Sequence, residues 1–286
     1  MTQILPTGQT ISDKQIESIF EPRNPLGHKG TFGTAVILGG SAGMVGAAIL
    51  AGRTALKAGA GKVLIGLAQS SCPVSYDSAN PELMIHKAED LLSRPDTCDA
   101  WGAGCGLGQS AAAIQSLRLL FSRRQGKPLV LDADGLNALS EGAASCTWGH
   151  GEVVMTPHPA EAGRLLGRTT KDIQADRVNA AQSISKQFKS WVVLKGAETI
   201  VCAPDLSWQI NRTGNVGLAT AGSGDVLTGV LVSLLAQGFR PEIAVPAGVW
   251  IHGAAADWLV ADGTGPIGLT AGELADAIRL IRNRRT

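Results

Sequence analysis

The chain has 286 residues, with 25 Lys and Arg against 24 Asp and Glu, a balance that excludes a protein built to bind nucleic acid or an anionic membrane through a large positive field. Apolar residues make up 44% and charged residues 17%, which excludes extensive disorder and supplies a large core. Glycine is in excess, 36 residues against the roughly 20 that average usage predicts, with no collagen-like period, so backbone is expected to approach something closely in many places.

Residues 1–27 carry neither the basic region nor the apolar core of a secretory signal and read as an arm ahead of a single domain spanning 28–286. From there, short β-branched runs alternate with segments of helical period, the pattern of strand-helix units around a largely parallel, buried sheet. Strands are expected at 34–38, 62–66, around 99–101, and at 128–132, 152–155 and 191–195. Helices are expected from about 45 to 58, from a start near Ser110, over 172–188 with Ile173, Ala181, Ile184 and Phe188 on one face, and over 225–237, 242–259 and 270–282. The longest apolar stretch, around 226–236, is interrupted by Thr228 and Ser233 and falls short of the ~20 residues of a membrane span. The cysteines Cys72, Cys98, Cys105, Cys146 and Cys202 are odd in number and form no Cys-x-x-Cys pair, which points to reduced thiols in the cytoplasm. The basic tail, Arg282, Arg284 and Arg285, reads as solvated.

In an open α/β sheet, ligands bind beyond the carboxyl ends of the strands, so the loops that follow the strands are the candidates for chemistry. Gly102–Gly108 is glycine-rich but does not fit Gly-x-Gly-x-x-Gly, and no Gly-x-x-x-x-Gly-Lys-Ser/Thr occurs, so the two common nucleotide fingerprints are absent. Asp132 and Asp134 are either paired carboxylates that hold Mg²⁺ through water or helix N-caps. Two prolines stiffen Thr156–Glu161, presenting His158 to hydrogen-bond a substrate and Glu161 to hold a metal-bound water; the plainer reading is a turn with Glu161 in the first turn of a helix. Lys195–Thr199 is a tight connection between strands, lying along a nucleotide's phosphates or serving simply as a hairpin. His252, on an apolar helix, reads as a satisfied core histidine.

The most informative segment is Asn211–Asp225, a polar, glycine-rich loop running into an apolar helix. Gly222 and Gly224 free the backbone to curl, and the N–H groups of Ser223, Gly224 and Asp225 face whatever precedes the helix, which makes an anion site. Asp225 suits a general base beside a transferring phosphoryl group, or else it caps the helix.

Taken together and in order, these segments resemble the ADP/ATP-dependent NAD(P)H-hydrate dehydratases of the ribokinase-like superfamily. The matching pieces are His28-Lys29-Gly30 with Gly33, Gly39-Gly40-Ser41 with Gly46-Ala47, Pro81-Glu82 with Met84, Gly104 to Gly108, Leu131 to Asp134 with Leu136-Asn137, Thr156 to Glu161, Leu194 to Ala197 with Thr199, and Thr220 to Asp225. The resemblance implies a three-layer α/β sandwich and a repair reaction: the S-form of hydrated NADH or NADPH (NADHX, NADPHX) is dehydrated at the expense of ADP or ATP, ADP giving AMP and phosphate. It implies that Asp225 deprotonates the hydroxyl and that Gly222, Ser223 and Gly224 form the anion hole. Ala47, Gly106, His158 and Asp225 would contact the hydrate, and Lys195, Gly196, Ala197, Glu198, Thr199 and Gly224 the nucleotide. Mg²⁺ would be held through water by Glu161 and Asp132. It also implies a homo-oligomer, of tetrameric type, working beside a separate epimerase. Departures from the family pattern are Cys105 in place of a common proline, Met44 near a common aromatic, and Gly135 and Ala160 in place of alanine and glycine. A small-molecule kinase of the same superfamily would share the Gly-Ser-Gly-Asp loop, although such kinases tend to carry Asn-x-x-Glu where this chain has His158-Pro159-Ala160-Glu161. A non-catalytic nucleotide-binding module would be expected to lack Asp225.

Overall fold

The computed structural model describes residues 3–69, 74–144, 148–149 and 151–283. Among the described residues ten strands form one sheet: β1 (Gln9–Thr10), β2 (Thr34–Gly39), β3 (Lys62–Leu67), β4 (Met84–Lys87), β5 (Ala100–Ala103), β6 (Leu129–Leu131), β7 (Val153–Met155), β8 (Trp191–Leu194), β9 (Thr199–Cys202) and β10 (Trp208–Asn211). Their order across the sheet is β1-β10-β9-β8-β7-β6-β5-β2-β3-β4, parallel throughout except that β9 runs antiparallel to β8 and β10. Every residue of β2 is buried; Ala35 and Ile37 enter one apolar cluster and Val36 and Leu38 the other. Period-two alternation into two covered faces explains why the central strands read as unbroken apolar runs.

The helices are α1 (Val45–Lys57), α2 (Ala88–Leu92), α3 (Ala111–Arg123), α4 (Ala133–Ser140), α5 (Pro159–Leu166), α6 (Thr170–Ala175), α7 (Arg177–Phe188), α8 (Ser223–Ala236), α9 (Pro241–Ala261) and α10 (Ala271–Asn283). Helices α1, α8, α9 and α10 pack together over one face, and α2–α5 and α7 cover the other. α9 is long and apolar enough to cross a membrane, but about two-thirds of it is buried inside the protein, as befits a core helix.

The single helix expected over 172–188 is two. Asp176 leaves helical geometry and its side chain accepts from the Asn179 N–H, while Thr169 and Asp172 form a capping box at the start of α6. Capping side chains inside the run thus override its helical period. Strands β1, β4 and β10 were not anticipated. Arg282 is not solvated: it donates to the carbonyls of Ile19 and Ala58 and lies over the Phe239 ring. Cys98, Cys105 and Cys202 are buried free thiols; Cys72, Cys146, Arg284 and Arg285 lie outside the described residues.

The segment expected as an arm is laid into the fold. β1 pairs with β10, the side-chain amides of Gln15 and Gln209 bond reciprocally at 2.8 and 2.7 Å, and Leu5, Ile11, Ile16, Ile19 and Phe20 are buried in the cluster that α8–α10 share.

From β2 the chain winds outward through β3 to β4, then returns to β5 on the other side of β2 and proceeds to β8. The strand order therefore reverses between β2 and β5. In open α/β sheets such a reversal, beyond the carboxyl ends of the strands, is where ligands bind.

Candidate active site

The loops after β2 and β5 are stitched together at that reversal: Gly40 N–H donates to the Cys105 carbonyl at 3.0 Å and Ser41 N–H to the Gly106 carbonyl at 2.6 Å. Gly104 has φ +120°, and a Cβ there would stand 1.8 Å from the Asp132 carbonyl oxygen, so only glycine lets the β5 and β6 loops approach this closely. Ala47 and Gly106 adjoin, since a Cβ on Gly106 would lie 3.0 Å from that of Ala47. Asp134 is not the N-cap of α4, a position held by Asp132; its Oδ2 accepts the Gly108 N–H at 2.8 Å and anchors the far end of the loop.

Above these loops lies the start of α8. Its N-cap is Gly222, at φ +89°, with no side-chain cap, and Asp225 is the third helical residue. Asp225 therefore does not cap the helix. The N–H groups of the first turn have no helical partner and carry the positive end of the helix dipole. Burial pushes the Asp225 carboxyl up to about 6; a hydrogen bond from the Cys105 thiol opposes the rise, Asp132 adds to it, and Lys195 opposes it. An acid so placed is mostly ionised at neutral pH yet basic enough to accept a proton.

Lys195, at the end of β8, is the positive pole. Its Nζ lies 2.7 Å from Asp132 Oδ1 and 3.8 Å from Glu161 Oε2. Burial alone would lower its pKa, but the charges of Asp132 and Glu161 outweigh burial and raise it. A Cβ on Gly224 would stand 3.4 Å from Asp132 Oδ2 and 3.5 Å from Lys195 Nζ, so the helix terminus faces the ammonium across a narrow gap. These are ordinary contact distances, and Gly224→Ala is expected to fold with unchanged or slightly higher stability, because alanine favours a helix by about 0.5–1 kcal/mol over glycine. The methyl group would fill the gap, and ADP affinity should fall at least tenfold, on the order of 1.4 kcal/mol. Thermal unfolding together with ADP titration checks both halves of this prediction.

In the Thr156–Glu161 loop the structure shows the helix start, with Glu161 in the first turn of α5. His158 caps α5: its Nδ1 accepts the N–H groups of Ala160 at 3.1 Å and Glu161 at 3.3 Å, while Glu161 Oε2 accepts the His158 N–H at 2.8 Å. A ring whose Nδ1 accepts carries its proton on Nε2. Burial is the main cause lowering the His158 pKa, so the ring is neutral; it is 46% exposed, and its Nε2 lies 3.4 Å from Glu161 Oε1.

Whether Mg²⁺ fits here follows from what the carboxylates already bind. Asp132 is engaged by Lys195 and by the Thr228 hydroxyl at 3.2 Å, and Glu161 is engaged in the capping box. Among the described residues no group of three or more His, Cys, Asp or Glu side chains is placed to hold a metal. Direct coordination does not fit; Mg²⁺ carried by nucleotide phosphates, with Asp132 and Glu161 reached through water, does.

Lys195–Thr199 is the turn between β8 and β9. Arg177 holds it by donating to the carbonyls of Leu194, Lys195 and Glu198 at 3.1, 3.4 and 3.5 Å, and Thr199 Oγ1 donates to the Gly196 carbonyl at 2.9 Å. Gly196, Ala197 and Glu198 are exposed beside Lys195. Arg177, Thr228 and Asp257, whose carboxylate accepts from Gly214 N–H at 2.7 Å and Asn215 Nδ2 at 3.0 Å, were not singled out from sequence, because each reaches the site from a helix with no motif of its own.

A family model described as NAD(P)H-hydrate dehydratase matches residues 35–280. The chain is 47% identical to the ADP-dependent (S)-NAD(P)H-hydrate dehydratase of Neisseria meningitidis serogroup B, over 94% of this chain and 91% of that protein. It is 39% identical to the bifunctional NAD(P)H-hydrate repair enzyme of Escherichia coli, covering 96% of this chain but 52% of that longer protein. In structure it is similar to the ADP/ATP-dependent NAD(P)H-hydrate dehydratase of Bacillus subtilis co-crystallised with ATP and Mg²⁺, with a TM-score of 0.86, 31% identity, and coverage of 99% of this chain and 100% of that one.

Proposed function

The chain belongs to the NAD(P)H-hydrate dehydratase family, of ribokinase-like architecture, and from that premise we propose how its residues divide the reaction. The activity is the ADP-dependent dehydration of the S-form of NAD(P)H hydrate back to NAD(P)H, a metabolite-repair reaction of the hydro-lyase type. Hydroxide is a poor leaving group and phosphate a good one. Asp225 takes the proton of the ring hydroxyl as its oxygen attacks the terminal phosphorus of ADP and the bond to AMP breaks. The resulting ester then expels phosphate with the C–O bonding electrons, and loss of the neighbouring ring proton restores the double bond. The observation that carries this reading is Asp225 itself, half-buried in the first turn of α8, free of any capping duty and within the influence of the Lys195 charge.

In this reading the N–H groups at Gly222-Ser223-Gly224 stabilise charge on the transferring phosphoryl group. Lys195 and the Gly196–Thr199 turn hold the nucleotide, with Gly224 at their junction. Ala47, Gly106 and the Nε2–H of His158 hold the hydrate. Mg²⁺, when bound, neutralises phosphate charge, with Asp132 and Glu161 as outer acceptors. The described chain, β1 included, acts as one folded unit, in the cytoplasm and as a homo-oligomer, on the S-form of the hydrate.

The test is to mix the purified protein with Mg²⁺ and hydrated NADH, giving ADP to one sample and ATP to another. Near-ultraviolet absorbance of the reduced nicotinamide should return, faster with ADP, and AMP should accumulate. Folded protein that restores no absorbance with either nucleotide would overturn the reading.

A further inference from the structure

His252 sits on α9 and is only 9% exposed. Its Nε2 lies 3.0 Å from the carbonyl oxygen of Ser223, the first residue of α8. A carbonyl only accepts, so Nε2 carries the proton and donates it. Burial lowers the ring's pKa to about 4, so the ring is neutral at working pH and this tautomer is the one that serves.

The Ser223 carbonyl and the Gly224 N–H are opposite ends of one planar trans peptide, so holding the first aims the second. As the first residue of α8, Ser223 also aims its carbonyl along the helix axis towards the N–H four residues on, so the imidazole is a second donor at an oxygen the helix already engages. Gly222 on one side is left-handed at φ +89° and Gly224 on the other has no Cβ, while the Ser223 hydroxyl is turned away to donate to the Leu218 carbonyl at 2.8 Å. A hydrogen bond accepted at the carbonyl also polarises the peptide and strengthens its N–H as a donor.

The same helix fixes the loop that leads into this peptide. Thr213 Oγ1 donates to the Trp250 carbonyl at 2.9 Å, Asn211 Nδ2 to the Val249 carbonyl at 3.4 Å, and Asp257 accepts from Gly214 and Asn215. Thr213 presses so closely on α9 that a Cβ on Gly253 would stand 2.3 Å from its hydroxyl.

We propose that His252 is a positioning residue for phosphoryl transfer: its Nε2–H fixes the Ser223–Gly224 peptide so that the Gly224 N–H points at the transferring group. The proposal rests on the reading of the Asp225 loop as the transfer site. A histidine that merely fills the core would affect stability; a positioning histidine affects the transition state.

His252→Leu removes the donor, and His252→Gln restores an N–H. The Leu variant should lose roughly tenfold to a hundredfold in kcat, less than deleting an anion-hole donor outright. Its KM values for hydrate and ADP should stay within about twofold, and Gln should recover part of the lost kcat. Wild-type kcat in the Leu variant overturns the proposal, as does a Gln variant with restored stability and unrestored kcat. Absence of turnover in the parallel wild-type sample instead overturns the reading of the site. Independently of how the variants fold, an imidazole ¹⁵N–¹H spectrum of the wild-type protein should show one solvent-protected Nε2 proton; a protected proton on Nδ1 overturns the proposal.

Discussion

Asp225→Asn is expected to lower turnover by about a thousandfold, within the range for losing a general base, and to raise the melting temperature at pH 8. The two effects share a cause. Burial lifts the Asp225 pKa from 3.8 to about 6, so above pH 6 the folded protein holds a carboxylate that would be better solvated in the unfolded chain. A raised carboxyl pKa means that the native state binds more protons between those two values, and stability falls as pH rises through them. The penalty is fully present above about pH 6 and is on the order of 1–3 kcal/mol. Asparagine has the same shape and no charge, so the variant should melt roughly 2–8 °C higher at pH 8. The gap should close as pH falls from 6 towards 4. In the wild type, kcat/KM should decline below about pH 6 as the base is protonated. Calorimetry across pH beside a pH–rate profile tests both parts. A variant that melts no higher at pH 8 contradicts the buried charge, and one with wild-type turnover contradicts the base.

Lys195→Met is expected to abolish nucleotide-dependent turnover and to destabilise the protein by about 3–5 kcal/mol, the usual effect of removing one partner of a buried pair. Asp132 and Glu161 are 3% and 6% exposed at their side chains, and Lys195 is the cation between them. The double variant Lys195→Met with Asp132→Asn should recover much of the stability and none of the activity. Urea unfolding with ADP titration on the single and double variants measures the difference. Equal stability of the single variant and the wild type would mean that the pair is already well hydrated.

Much of the architecture is legible in sequence wherever burial is symmetrical. Val36, Ile37 and Leu38 announce a strand covered on both faces, and the glycines after it announce a loop at a strand end. β10 is illegible because its pattern is inverted: Gln209 and Asn211 point inward and are satisfied by Gln15 and by the α9 carbonyl of Val249. β4, partly exposed at the opposite edge of the sheet, has no apolar alternation to detect. Asp225 could be singled out because two glycines and a serine precede it on the way into a helix. Cys105 stands out in the sequence only as a departure from a family pattern, whereas its buried thiol is among the groups that act on the Asp225 carboxyl. Arg177 and Thr228 act through contacts formed only when distant helices meet, and neither lies in a pattern that local spacing can reveal. For His158 the plainer reading holds in part, since its ring caps α5 and Glu161 stands in the first turn of that helix.

The segment before His28 contributes no group to the chemistry, and the family match begins later still, at residue 35. Yet β1 shields the outer edge of β10, and β10 runs directly into the Asn211–Asp225 loop. A chain trimmed to its recognisable region would keep every reacting group while uncovering an edge strand and emptying the seats of Leu5, Ile11 and Ile16, a combination that invites strand-to-strand association. The smallest piece that carries the signature is therefore smaller than the smallest piece able to hold its shape.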